Sequence, residues 1–293
     1  MNKASRKPLL ALAAVLAAVL VPASSASAVE LQGPWAPFDK CPVDDPQMLE
    51  VQNSGNGCIS SVSEKGSFKI RDRVIETGRT ELQFGATGPG IPDVIPPGSL
   101  QADPVKVPGG LLNMMCPGGN QNLIKQVCDL VAGSALNRVN ATVELAGAVQ
   151  NFNLFAPLTG GTVVEIPIKI HLENPLLGGN CYIGSDANPI VLRPHQDPLA
   201  TGITFEPDPL GSQVAFIGTT PSPATLVDDT LEIPGAKGCG LLNLFDRAIN
   251  NRMGLPSPSG ENAIVLEEAV AIVAGNAPTG QDLRDAWHNA VIN

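Results

Sequence analysis

Rings are scarce in this 293-residue chain, which holds eight Phe, two Trp, one Tyr and three His. Its core therefore has to be assembled from Val, Ile, Leu and Ala. The shortage also argues against a carbohydrate-binding face, which would stack sugars on exposed Trp and Tyr rings. Three histidines without ligand spacing do not suggest a zinc centre. Positive charge is short as well: 18 Lys and Arg stand against 28 Asp and Glu, a formal net charge of −10. A chain without a Lys/Arg footprint is a poor partner for nucleic acid or an anionic membrane surface. The nearest thing to a basic patch (Lys69, Arg71, Arg73, Arg79) is interleaved with Asp72 and Glu76.

Long apolar runs are missing too. The main one, residues 9–21, is too short for a spanning helix, which needs roughly 20 residues. Lys3, Arg6 and Lys7 precede it, Pro22 breaks it, and Ala26-Ser27-Ala28 follows. That order of basic, apolar and small residues is the pattern of a cleavable export leader over residues 1–28. No cysteine follows the cleavage site directly, so a lipid anchor is not expected, and neither is an integral membrane anchor. The remaining residues, 29–293, can bury about three quarters of their unfolded surface, so folding does not depend on cross-links.

Several catalytic signatures are absent: G-x-S-x-G, S-x-x-K, H-E-x-x-H, the phosphate-binding P-loop and the EF-hand. No C-x-x-C occurs either. The sequence calls for no cofactor and no metal, and it supplies no catalytic residue. Its cysteines are Cys41, Cys58, Cys116, Cys128, Cys181 and Cys239. Past an export leader they are expected to form disulfides. Proximity in the chain suggests 41 with 58, 116 with 128, and 181 with 239, although sequence alone leaves the connectivity open.

Proline and glycine are abundant, at 27 and 30 residues. Residues 29–65 read as a Pro/Gly-rich opening segment pinned by its own disulfide, with Trp35 as a hydrophobic plug. A single β-rich domain over residues 66–293 follows. Short strands are predicted at 67–71, 74–75 and 82–84, where apolar and polar residues alternate after turn signals. The prolines between residues 88 and 110 exclude regular helix and central strand. The clearest strand spans residues 163–173: Val164, Ile166, Ile168, Ile170 and Leu172 share one face, Glu165, Pro167, Lys169, His171 and Glu173 the other. Pro167 lacks a ladder donor, which predicts an edge or a bulge there. Residues 263–273 read as a strand interrupted by Glu267-Glu268. Helices are predicted over 121–136, 240–251 and 282–292, the last capped by Thr279 or Gln281. The fold class is therefore mainly β, an antiparallel sandwich or barrel with two or three short helices and long Pro/Gly-rich loops.

Site candidates are few. His171 and Glu173 lie side by side on the polar face of the long strand, and His195 sits in a Pro-flanked loop. The bland reading of each is a solvent-facing residue; an acid–base role would need them to converge on a Ser or Thr.

The phrase HLENPLLGGNCYIGS at residues 171–185, with NPIVL at 188–192 and GAKGCGLL at 235–242, resembles a family of uncharacterised secreted proteins of high-GC Gram-positive bacteria. The likeness is sharpest over residues 163–192 and 233–255. It implies export and a pairing of Cys181 with Cys239, and it brings no activity or ligand. The expectation is a secreted, disulfide-stabilised, non-catalytic protein, extracellular or cell-wall-associated, with an extracellular or wall partner. One alternative is a carrier for an apolar small molecule, marked by an open cavity of several hundred Å³. Another is a hydrolase with a dispersed site.

Overall fold

Short strands alternating with prolines and glycines build two antiparallel sheets, described here from a computed structural model over residues 29–88, 93–116 and 123–292. The leader expected at residues 1–28 lies outside the described residues, as do Pro89, Pro92 and Gln121. In chain order the strands are β1 (Gly57–Ser63), β2 (Lys65–Ile70), β3 (Arg73–Thr77), β4 (Thr80–Ala86), β5 (Leu100–Ala102), β6 (Val105–Lys106), β7 (Asn140–Leu145) and β8 (Ile166–Glu173). There follow β9 (Tyr182–Ile183), β10 (Ile190–Leu192), β11 (His195–Gln196), β12 (Gly202–Pro207), β13 (Ala215–Thr220), β14 (Ala224–Asp228), β15 (Ala236–Lys237) and β16 (Asn262–Gly275). The α-helices are α1 (Pro46–Leu49), α2 (Gly110–Met115), α3 (Leu123–Val131), α4 (Ala156–Thr159), α5 (Asp246–Met253) and α6 (Gly280–Asn289). The molecule is thus mainly antiparallel β with short helices.

The long strand β16 organises the larger sheet. Its C-terminal half pairs with β1 on one side and β13 on the other; its N-terminal half pairs with β2 and β14. β4 and β5 extend the first half-sheet beyond β1, and β12 extends it beyond β13. β3 and β11 flank the second half-sheet. The sheet bends where the halves meet, at Glu267-Glu268. Glu268 adopts a left-handed φ of 54°, and the register against β14 slips there between Ala224↔Ala269 and Leu226↔Leu266. The extra residue is a β-bulge. It resets the alternation, so that Ile264 and Leu266 before it, and Ala269 and Ala271 after it, all face the space between the sheets. β1 begins inside the expected opening segment, so the sheet reaches back to Gly57.

The smaller sheet has the order β15–β9–β8–β7–β6, with β10 also on β8. β8 alternates as its sequence does: Ile166, Ile168, Ile170 and Leu172 are buried. It starts later than residue 163, and it is flanked on both sides rather than lying at an edge. Pro167 is tolerated because its ladder with β7 ends one pair earlier, at Leu145↔Ile168. The Ala146 N–H donates to the Pro167 carbonyl at 2.9 Å, so the position that lacks a donor faces the residue just past the end of β7.

Helices cover the rest. Apolar spacing predicts one helix over residues 121–136; α3 ends at Val131, and a short 3-10 turn at Ala135–Asn137 follows Gly133, which has a left-handed φ of 74°. The helix expected from residue 240 breaks likewise, into a 3-10 turn at Leu241–Asn243 and α5, because Leu242 and Asn243 are left-handed. α6 begins as its sequence predicts: Thr279 Oγ1 accepts from the Asp282 N–H at 3.2 Å. α6 and the opening segment pack on the outer face of the first half-sheet, burying Trp35, Phe38, Leu283 and Trp287 against Phe216 and Ala274. Disulfides join Cys41 to Cys58, Cys116 to Cys128, and Cys181 to Cys239. They tie the opening segment to β1, α2 to α3, and the start of β9 to the segment after β15. No described helix is long and apolar enough to cross a membrane.

Candidate functional site

Two facing sheets with apolar inner faces normally interdigitate into a filled core about 10 Å thick. Here they leave a cavity of about 190 Å³. That is less than the several hundred Å³ expected of a drug-sized site. It exceeds the roughly 150 Å³ in which an engineered apolar cavity holds benzene. One wall is the buried face of β8, with Ile183 and Leu192 beside it; the other comes from both halves of the bent sheet, through Ile59, Phe68, Leu82 and Ile264. The space exists because several inward positions carry small side chains: Ala141 on β7, Ala224 on β14, and Ala269 and Ala271 on β16. Ala271 points between the sheets yet is exposed, and Leu226, Leu266 and Val143 are only half-buried. Interior residues keep accessible surface when no atoms fill the gap beside them.

A few polar groups are set into this wall. The registers Gln196↔Leu226, Leu226↔Leu266, Leu266↔Gly66 and Gly66↔Thr77 run straight across five strands, from β11 to β3. Directly opposed residues share a face, and Gln196, Leu226, Leu266 and Thr77 all line the cavity. A Cβ on Gly66 would collide with the Val265 carbonyl and lie 2.9 Å from Thr77 Oγ1, so the row stays bare beside Thr77. At its two ends, Gln196 Nε2 and Thr77 Oγ1 are buried with no hydrogen-bond partner. Buried polar atoms are normally satisfied, and an orphan facing a cavity is a place for a ligand atom or water. Asp103 is the one ionisable side chain on the wall among the described residues.

The residues singled out in the sequence lie elsewhere. His171 and Glu173 project from the opposite face of β8, away from the cavity. The His171 ring stacks on Tyr182 with centroids 4.5 Å apart, and its Nδ1 lies 3.6 Å from Glu144 and 3.8 Å from Glu173. Thr142 donates to Glu173 at 2.9 Å. Lys169 is bonded to Asp186 at 2.7 Å and sits 5.2 Å from the Tyr182 ring centre. The Asp186 hydrogen bond raises the Lys169 pKa, and burial, then the Glu144 charge, raises that of Tyr182. His195 belongs to β11 in the other sheet, paired with Val227, so the three candidates do not form one cluster. Gln196 and Thr77 gave no signal in the sequence, because Gln196 lies in a two-residue strand with no alternation and Thr77 is the last residue of a short one. No group of three His, Cys, Asp or Glu among the described residues could hold a metal ion.

Comparison with known protein families, curated proteins and solved structures gives no match, so the functional reading rests on this geometry.

Proposed function

We propose that the protein is an exported, non-catalytic carrier that holds an apolar small molecule between its two sheets. The observation that carries this reading is the unfilled apolar cavity, walled by both sheets and kept open by alanines at inward positions. Burying apolar ligand surface there gains about 25 cal/mol per Å², and the preformed walls lose little order on binding. A location outside the cell, free or against the wall, is supported by the leader-like residues 1–28 and by three disulfides. The hydrolase alternative has less support, since His171 is beyond hydrogen-bond distance of both neighbouring carboxylates.

Calorimetry and thermal melting with naphthalene test this reading. A ligand at 100 times its Kd stabilises the folded state by about 2.7 kcal/mol, which for a chain of this size raises Tm by about 5–10 °C. Absence of binding heat and of any Tm shift would overturn it.

A further inference from the structure

The larger sheet has a seam. On the side of β16 that faces β13 and β14, the last β13 pair is Gly218↔Ile272 and the first β14 pair is Ala224↔Ala269. Val270 and Ala271 therefore have no strand partner there, and the chain that would supply one turns away through Pro221-Ser222-Pro223. A second cavity, of about 380 Å³, lies at this seam. Its rim carries Lys65, Glu267, Glu268, Pro198, Pro221 and Pro223. Gln196 and Ala224 line it and also line the inner cavity, so these two side chains form the partition between them.

We propose that this seam is the portal of the inner cavity, and that the ligand is a neutral amphiphile whose oxygen-bearing head is received by Gln196. The inference rests on the carrier reading above and adds the route and the chemical class. Gln196 is 2% exposed, and its Nε2 has no partner. An amide donor stranded between an apolar chamber and a polar cleft is matched by an ester, hydroxyl or carbonyl oxygen. The alkyl part then lies over Leu226 and Leu266 toward the bare position at Gly66.

Electrostatics select the head group. The described inner wall offers no cation, and Asp103 is acidic. In the outer cleft Lys65 is already engaged by Glu268 at 2.9 Å and Glu267 at 3.7 Å, which leaves the rim net negative. A carboxylate or phosphate head would be desolvated there without a counter-charge, which is costly. A glycerol ester or an alcohol meets no such penalty.

The test uses calorimetry and stopped-flow binding on the oxidised chain with octanoyl glycerol, octanoate and naphthalene at pH 7. The expected result is octanoyl glycerol bound at least tenfold more tightly than octanoate. Gln196→Leu should weaken octanoyl glycerol about tenfold more than it weakens naphthalene. Ala224→Phe, which thickens the partition, should slow association of both by tenfold or more. Equal affinity for ester and carboxylate, or equal losses for both probes in Gln196→Leu, would overturn the head-group assignment. Unchanged association rates in Ala224→Phe would overturn the portal. Naphthalene failing to bind the unmodified chain would bring down the carrier reading itself, and this inference with it.

Discussion

Single residues set the chemistry of this molecule, and the informative ones are those whose surroundings contradict their type. Asp93 is one: burial, opposed by a hydrogen bond from the Thr87 backbone, pushes its carboxyl pKa up to about 6. The ordinary value is near 3.8, so between about pH 4 and 6 the folded chain binds a proton that the unfolded chain has lost. Stability therefore falls as pH rises through this window, and the penalty is complete above pH 6. The shift corresponds to about 3 kcal/mol at full strength, and partial exposure screens it to about 1 kcal/mol. Asp93→Asn should then raise Tm by about 2–4 °C at pH 7.5 and leave it unchanged at pH 3.5. Equal shifts at both pH values would refute the assignment. Neither Asp93 nor Gln196 was legible in the sequence, for a common reason: each is a polar residue in a stretch whose spacing carries no burial pattern. The sequence drew attention to His195, one residue from Gln196. Adjacent residues in extended chain face opposite ways, so the amide lines the cavity and the imidazole does not.

At the scale of elements, legibility followed periodicity. β8 could be read face by face because four apolar residues alternate without a break. β16 was visible only as a strand with a fault at Glu267-Glu268, and that fault is the bulge that turns Ala269 and Ala271 inward. Without the bulge, strict alternation would turn Val270 and Ile272 inward in place of Ala269 and Ala271, and larger side chains would fill the cavity. The bulge needs a residue at positive φ, and Glu268 occupies it at 54°. A β-branched side chain is least tolerant of that region. Glu268→Val should destabilise by about 1–2 kcal/mol, whereas Glu268→Gly should be close to neutral. Urea denaturation at constant m-value separates the two outcomes, and equal midpoints for Val and Gly would show that the position is unstrained. Helix ends were less legible than strands: the breaks near Gly133 and at Leu242-Asn243 depend on local left-handed backbone that apolar spacing does not reveal.

For the molecule as a whole, the sparse aromatics noted in the sequence reappear as a property of the interior. Aliphatic side chains from two sheets leave the middle of the sandwich empty; Phe68, Phe84 and Phe152 reach the cavity and do not fill it. Composition made an aliphatic core legible. It could not reveal the gap, because the inward placement of Ala269 and Ala271 depends on the bulge in β16. An unfilled cavity forfeits contacts on every lining atom, at about 24 cal/mol per Å³ in engineered cases. If the gap served no purpose, filling it would be harmless to function; if it holds a ligand, stability and binding must move in opposite directions. Ala271→Phe tests this, since Ala271 faces the cavity and retains exposed surface. The added ring should stabilise the chain by about 1–2 kcal/mol after allowance for strain, or about 2–8 °C in Tm. It should also lower naphthalene affinity by at least tenfold. A variant that melts higher and binds naphthalene as well as before would place the binding site elsewhere. One that melts lower, with binding intact, would mean that the sheets meet more closely at Ala271 than the walls of the cavity require.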